Sequence, residues 1–140
     1  MTPRQQNLIR TSFAQVAPIA DQAATIFYDR LFELDPSIRP MFAHTDMPAQ
    51  RRNLMQTLAV VVKSIDRLET IVPAVEALGR RHGAYGVAPE HFATVGAALL
   101  DTLAMGLGDA FTTDVRDAWA TAYDILAEVM IGAMAVEPAA

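Results

Sequence analysis

Apolar residues recur along this chain at three- and four-residue spacings, the period of a helix with one buried face. The pattern opens at Thr2–Gln5. Thr2 suits a cap, Pro3 the first turn and Gln5 the far side of a capping box. Leu8, Phe13 and Val16 follow as an approximate stripe that ends near Pro18. A second helix is predicted from about Ile19 to Leu34. Ala23, Ile26, Phe27, Leu31 and Leu34 share its face, with Arg30 the polar exception. Asp35 then suits the cap of a short helix with Pro36 in its first turn, and Pro40 limits that piece to one or two turns. After the polar stretch "AHTDMPAQ", Asp46 and Pro48 announce a helix to about Ile65, with Leu54, Leu58, Val61, Val62 and Ile65 inward. "DRLET" reads as a break. The next helix begins at Thr70 or just after, with Pro73 in its first turns and Gly83 as its stop. "VAPEHF" opens another, with Pro89 in the first turn. Val95, Leu99, Leu100, Leu103 and Leu107 line it as far as "GLGD". The last helix runs from Thr112 or Thr113 to about Met134, along Val115, Trp119, Tyr123, Leu126, Met130 and Met134. The most strand-like run, "AVVV" at Ala59–Val62, lies inside a longer helical pattern. The expectation is an all-α protein with six longer helices and one short one. The short piece bracketed by prolines favours a less regular packing than an up-down bundle.

Composition narrows the class. A length of 140 residues predicts a single domain, 1–140, with one real core. At 52% hydrophobic and a mean hydropathy of +0.21, the chain is not a disordered one. Charged residues interrupt every apolar run, so no bilayer-spanning stretch of about 20 apolar residues is expected. "MTPRQQNLIR" has no apolar signal core, which points to a cytoplasmic protein. The chain has no cysteine, so disulfides, thiolate metal sites and thiol catalysis are excluded. A net charge of −5 argues against nucleic acid as the main partner.

The stretch "LGRRHGAYGVAPEHF", Leu78 to Phe92, holds two of the three histidines. His82 lies near a predicted helix end. One ring nitrogen can donate to a carbonyl about a turn back, near Leu78, which aims the other at a metal. Taken alone, His82 reads more simply as a solvent-facing histidine favoured by the helix dipole. His44 lies in the polar "AHTD" loop and reads as exposed. His91, beside Glu90, reads as a surface residue or a support for a neighbouring ligand. No HExxH spacing and no cluster of histidine with carboxylates occurs, so a closed zinc or calcium site is not expected. A single histidine in an apolar surround suits haem iron, which needs one axial protein nitrogen. Tyr28 sits amid Ile26, Phe27 and Leu31, and once buried its hydroxyl needs a partner. By itself it reads as a core tyrosine, and Phe42 as a core phenylalanine. Gln50 and Leu54 are four apart on one helical face and can overlook one cavity, although a first-turn glutamine is ordinarily exposed.

In order, Tyr28, Pro36, "RPMF" with Phe42, Gln50 with Leu54, "GRRHGAYGV" and "AW…AY" form a pattern. It resembles the bacterial globins, both single-domain bacterial haemoglobins and the globin domain of flavohaemoglobins. "FYDRLFELDPSIRPMF" and "DAWATAYDILAEVM" are close matches, and the resemblance extends from about residue 5 to 133. It implies a globin fold of six to seven helices around haem b. His82 matches the proximal iron ligand, and Tyr28 the distal tyrosine that hydrogen-bonds bound dioxygen. Gln50 matches the distal-helix glutamine, Leu54 the leucine over the iron, and Phe42 the phenylalanine packed on the porphyrin. The resemblance also implies haem contacts at Val87, Val95, Leu99, Leu126 and Met130. Leu78 and Phe92 fall in the proximal neighbourhood, and Arg81 within reach of a propionate.

One departure changes the expected chemistry. In the family a tyrosine and a glutamate on the last two helices form a relay to the proximal histidine. The matching positions here are Phe92 and Met134, neither of which offers a carboxylate or a hydroxyl. Glu137 lies three residues further on a similar face. The expectation is a more neutral His82 held by a backbone carbonyl, which favours reversible ligand binding over peroxidase-like chemistry. With the chain ending at Ala140, no flavin- or NADH-binding reductase domain is expected within it. The leading reading is a haem protein that binds dioxygen and other small diatomic ligands for storage, transport or scavenging. The alternative is a nitric oxide dioxygenase supplied by a separate reductase. A sensor or structural globin acting through a protein partner ranks below both.

Overall fold

The first helix, α1 (Pro3–Val16), starts at the cap its sequence predicts. The Thr2 hydroxyl accepts from the Gln5 N–H at 3.1 Å, and the Gln5 amide oxygen accepts from the Thr2 N–H at 2.9 Å. These two bonds satisfy donors that the helix itself leaves unpaired. The computed structural model describes residues 1–135. A 3-10 turn at Ala17–Ile19, carrying Pro18, leads into α2 (Ala20–Leu34). The Asp35 carboxylate then accepts from the Ser37 N–H at 3.0 Å and caps the 3-10 segment Pro36–Phe42, the short proline-bracketed element. Asp46 does the same for α3 (Met47–Lys63), accepting from the Ala49 N–H at 3.2 Å. The "AVVV" run is helical within α3. A 3-10 turn, Leu68–Thr70, occupies the expected break before α4 (Val72–Ala84). α5 (His91–Leu107) and α6 (Thr113–Ala135) complete the helices, and no strand occurs among the described residues.

Three local expectations are corrected. Gly83 does not end α4, which continues through Ala84. The left-handed turn is taken by Gly86, at φ +89°, where a side chain would be strained. Pro89 is not in the first turn of α5. It belongs to a turn in which the Ala88 N–H donates to His91 Nδ1 at 2.9 Å and the Pro89 carbonyl accepts from the Phe92 N–H at 3.1 Å. His91 is thereby a local cap. Finally, the segment His91–Ala110 is long and apolar enough to cross a bilayer despite its acidic residues. It packs instead against α2, α1 and α6, with Ala98, Leu99, Thr102 and Leu103 buried, as a core helix does.

Helix pairing is not sequential. α4 lies along α6, α2 against α5, and α1 against α6 and α5, while α3 packs on α2 and α1. The helices bearing Gln50 and His82 therefore rest on different supports. The core runs through Ile9, Phe27, Leu31, Ile65, Leu103 and Trp119. Within it, the Trp119 indole N–H donates to the Ser12 hydroxyl at 2.8 Å, which donates to the Leu8 carbonyl at 2.7 Å. Ser12→Ala leaves the buried indole without its acceptor. It should cost about 1–2 kcal/mol, read as a lower urea midpoint at unchanged m-value.

Candidate functional site

The site is built from two sides. On one, His82 occupies the last turn of α4, with Nδ1 2.7 Å from the Leu78 carbonyl. A carbonyl only accepts, so Nδ1 carries the hydrogen and the lone pair falls on Nε2. The His82 carbonyl in turn accepts from the Tyr85 and Val87 N–H groups, both at 3.1 Å, which secures the helix end. Phe92 is buried, with its ring centroid 6.5 Å from the imidazole and tilted by 43°. Around Gly83 the nearest atoms to an added Cβ belong to Met134, at 3.4 Å. No carboxylate or hydroxyl hydrogen-bonds the His82 ring among the described residues. Glu137 lies outside them. Arg81 is exposed and forms no ion pair among the described residues.

On the other side, Tyr28 is buried on α2. Its ring meets Phe27 edge-on at 5.0 Å and Phe42 edge-on at 5.6 Å. Phe42 itself packs on Phe32 at 5.5 Å. The Gln50 amide, in the first turn of α3 set by the Asp46 cap, donates to the Tyr28 hydroxyl oxygen at 3.0 Å. That oxygen is thus an acceptor, and its own hydrogen remains available to a ligand. Burial pushes the Tyr28 hydroxyl above the usual tyrosine pKa, partly offset by the Gln50 amide and the Arg51 charge. The phenol is therefore protonated throughout the physiological range. With the folded value raised, any stabilisation it gives is complete below the ordinary pKa and is lost as pH climbs through the folded one.

Most of the apolar residues expected to line the site are half-buried. Phe42, Leu54, Val95 and Leu126 are half-buried against the core, and Val87 is half-buried beside α4. Leu54 also borders an apolar cavity of about 20 Å³ behind it, with Phe27, Leu58, Leu99 and Trp119. Leu99 is buried on that interior side, and Met130 is half-buried on α6. His44 is exposed. No three His, Asp or Glu side chains converge among the described residues, so the donor set is not that of a chelated bare ion. One carbonyl-anchored histidine with the buried Phe92 ring near it fits a flat macrocycle with an axial position to fill.

Sequence reasoning alone missed three residues here. Arg51 acts on Tyr28 through its charge. Tyr123 donates its hydroxyl to the Phe92 carbonyl at 2.6 Å. Gly79 brings α4 so close to α6 that an added Cβ would lie 2.6 Å from the Met130 carbonyl oxygen. The only advance signal was a glycine inside a helical pattern, which commonly has a packing reason.

A carbonyl-anchored histidine and a buried tyrosine–glutamine pair, on a fold that is helical among the described residues, are the donors a haem-binding protein would use. The family model described as Globin matches residues 25–130. A flavohemoprotein of Vibrio cholerae is 32% identical over 133 residues, covering 94% of this chain and 34% of its own length. Neuroglobin of Danio rerio is 32% identical over 143 residues, covering 93% of this chain and 90% of its own. An engineered carbene transferase from Rhodothermus marinus, described as a candidate nitric oxide dioxygenase, superposes with a TM-score of 0.86 at 25% identity. That match covers 96% of this chain and 94% of the other. This chain belongs to the globin family. It spans about a third or less of the length of the flavohemoproteins it matches.

Proposed function

We propose that this protein is a cytoplasmic haem b globin that binds dioxygen reversibly. The observation that carries this reading is the Gln50–Tyr28 hydrogen bond at 3.0 Å, which turns a buried, protonated phenol into an oriented donor. Haem supplies the iron to which a diatomic gas attaches. His82 would hold that iron through Nε2, with Nδ1 donating to the Leu78 carbonyl and so orienting the ring. Phe42, Leu54, Val87, Val95 and Leu126 would cover the macrocycle and exclude water. Arg81, exposed on α4, suits a propionate. The Tyr28 hydroxyl would offer its hydrogen to dioxygen, a ligand that gathers negative charge where carbon monoxide gathers little. A donor aimed at developing charge in a dry pocket favours dioxygen and slows its release. On the proximal side, His82 faces a backbone carbonyl and the Phe92 ring. No side-chain carboxylate or hydroxyl bonds that ring among the described residues, which supports ligand binding over peroxidase-like chemistry.

The test is a Tyr28→Phe variant of the haem-loaded protein. Losing one hydrogen bond to a partly charged ligand should speed dioxygen release roughly tenfold, measured by stopped-flow displacement. Unchanged release would remove Tyr28 from the distal role.

The likeness to flavohemoproteins and to the Rhodothermus marinus protein keeps a second reading in play, a nitric oxide dioxygenase. Nitric oxide, dioxygen and one electron would give nitrate, with the electron drawn from a separate reductase. Sustained turnover with a reductase favours this reading, and a single stoichiometric conversion excludes it.

A further inference from the structure

We propose that the arginines flanking this site form a docking rim for an acidic electron-transfer protein. The inference rests on the haem reading. Dioxygen attaches only to ferrous iron, so any iron that has turned ferric needs one electron from a donor.

Charge is segregated along this chain. Its net charge is −5, yet residues 36–52 and 78–87 carry five arginines and one carboxylate, Asp46. That carboxylate is engaged as the cap of α3. Arg51 and Arg52 directly follow Gln50 on α3, and Arg80 and Arg81 directly precede His82 on α4. The Arg39 guanidinium lies 5.7 Å from the centre of the Phe32 ring, which packs on Phe42 at 5.5 Å and on Tyr28 at 6.2 Å. The helices bearing the proximal and the distal residues thus both carry positive charge beside them.

These five differ from arginines elsewhere. Arg4, Arg10, Arg30 and Arg116 are each paired, with Asp114, Asp66, Asp101 and Asp117 respectively. None of the five forms an ion pair among the described residues, and all but the half-buried Arg51 are exposed. Positive charge left unneutralised around a site steers a negative partner toward it. Tyr85, three residues beyond His82, is 74% exposed. Its N–H donates to the Arg81 and His82 carbonyls, both at 3.1 Å, so its backbone is held at the end of α4. Exposed tyrosine beside arginine is the make-up of an anchoring spot in a protein interface, which favours a protein over a small anion. An acidic surface on that protein matches the rim, and a redox group within it matches the iron.

The probe is an acidic flavodoxin, with the globin loaded with iron protoporphyrin IX. The anionic flavin hydroquinone gives up one electron and becomes the neutral semiquinone, ferric iron becomes ferrous, and no proton moves. Calorimetric titration with oxidised flavodoxin reads docking, and stopped-flow mixing with reduced flavodoxin reads electron delivery. Arg52→Gln/Arg80→Gln takes one charge from each flanking helix and leaves Arg81 in place. It should weaken docking and slow reduction roughly tenfold at low salt. Added salt should do the same to the wild-type protein, a reading that needs no variant. Lys63→Gln/Arg67→Gln is the control. Both residues are exposed and unpaired among the described residues, and Lys63 lies about 16 Å along α3 from Arg52. The control removes the same charge and should change either reading by less than about twofold. Equal losses in the two double variants overturn the proposal, since net charge alone would then explain them. Absence of docking at low salt overturns it, as does docking without reduction. Binding to vesicles of phosphatidylglycerol in place of flavodoxin overturns it in favour of a membrane surface. A protein that takes up no haem, seen in its absorption spectrum before any titration, overturns the haem reading instead.

Discussion

His82→Ala is expected to give the largest functional loss of any single substitution in this chain. The imidazole is anchored to the Leu78 carbonyl at 2.7 Å, leaving one nitrogen for iron. No other described histidine is placed to replace it, since His44 is exposed and His91 Nδ1 is engaged by the Ala88 N–H. Losing a partner that only supports a metal ligand ordinarily weakens binding about 10–100-fold, so losing the ligand itself should exceed that range. The fold should tolerate the change, because the ring is half-buried and makes one hydrogen bond, worth about 1 kcal/mol. The ferrous spectrum should lose the signature of histidine ligation, and the apoprotein should unfold near the wild-type midpoint. Added imidazole should restore part of the spectrum by filling the space the side chain leaves. A variant that kept the wild-type ferrous and oxygenated spectra would show that the iron ligand lies elsewhere.

The proximal and distal halves of this site were not equally legible. The His82–Leu78 bond is four residues long in sequence, and helix geometry alone brings those groups together. The caps at Thr2, Asp35 and Asp46 are equally local and stand where their sequence signals place them. The Gln50–Tyr28 pair spans 22 residues and two helices. Nothing in either residue's neighbourhood singled it out, and the resemblance to bacterial globins brought the two together. The Tyr123–Phe92 bond spans 31 residues and ends on a backbone carbonyl, an acceptor present at every position and hence invisible as a motif. The misplaced boundaries at Gly83 and Pro89 each have a local reason. Gly86, not Gly83, takes the left-handed turn beyond α4, and a turn completed by the His91 ring holds Pro89 outside α5.

Gly79 is the clearest case of a residue whose role only packing discloses, and substituting it should give the largest stability loss of the variants considered. In an isolated helix Gly79→Ala would gain up to about 1 kcal/mol from helix propensity. In this fold the new Cβ would lie 2.6 Å from the Met130 carbonyl oxygen and 2.7 Å from the Met130 Cα. Both are backbone atoms of α6, so no rotamer change relieves the overlap. Restoring ordinary contact requires α4 and α6 to part by roughly 1 Å along their extensive shared face. Overpacking costs about 1–3 kcal/mol and more where the neighbour cannot yield. The clash should therefore outweigh the propensity gain, for a net loss of about 2–3 kcal/mol. Tm should fall by roughly 5–10 °C. Gly83→Ala on the same helix supplies the contrast. Its Cβ would meet the flexible Met134 side chain at 3.4 Å, so it should be neutral or slightly stabilising. Because Gly79 adjoins Leu78 and lies one turn before His82, parting the helices should also move the imidazole and speed haem loss. Equal melting temperatures for the two alanine variants would show that the α4–α6 approach at Gly79 is not what holds the proximal helix.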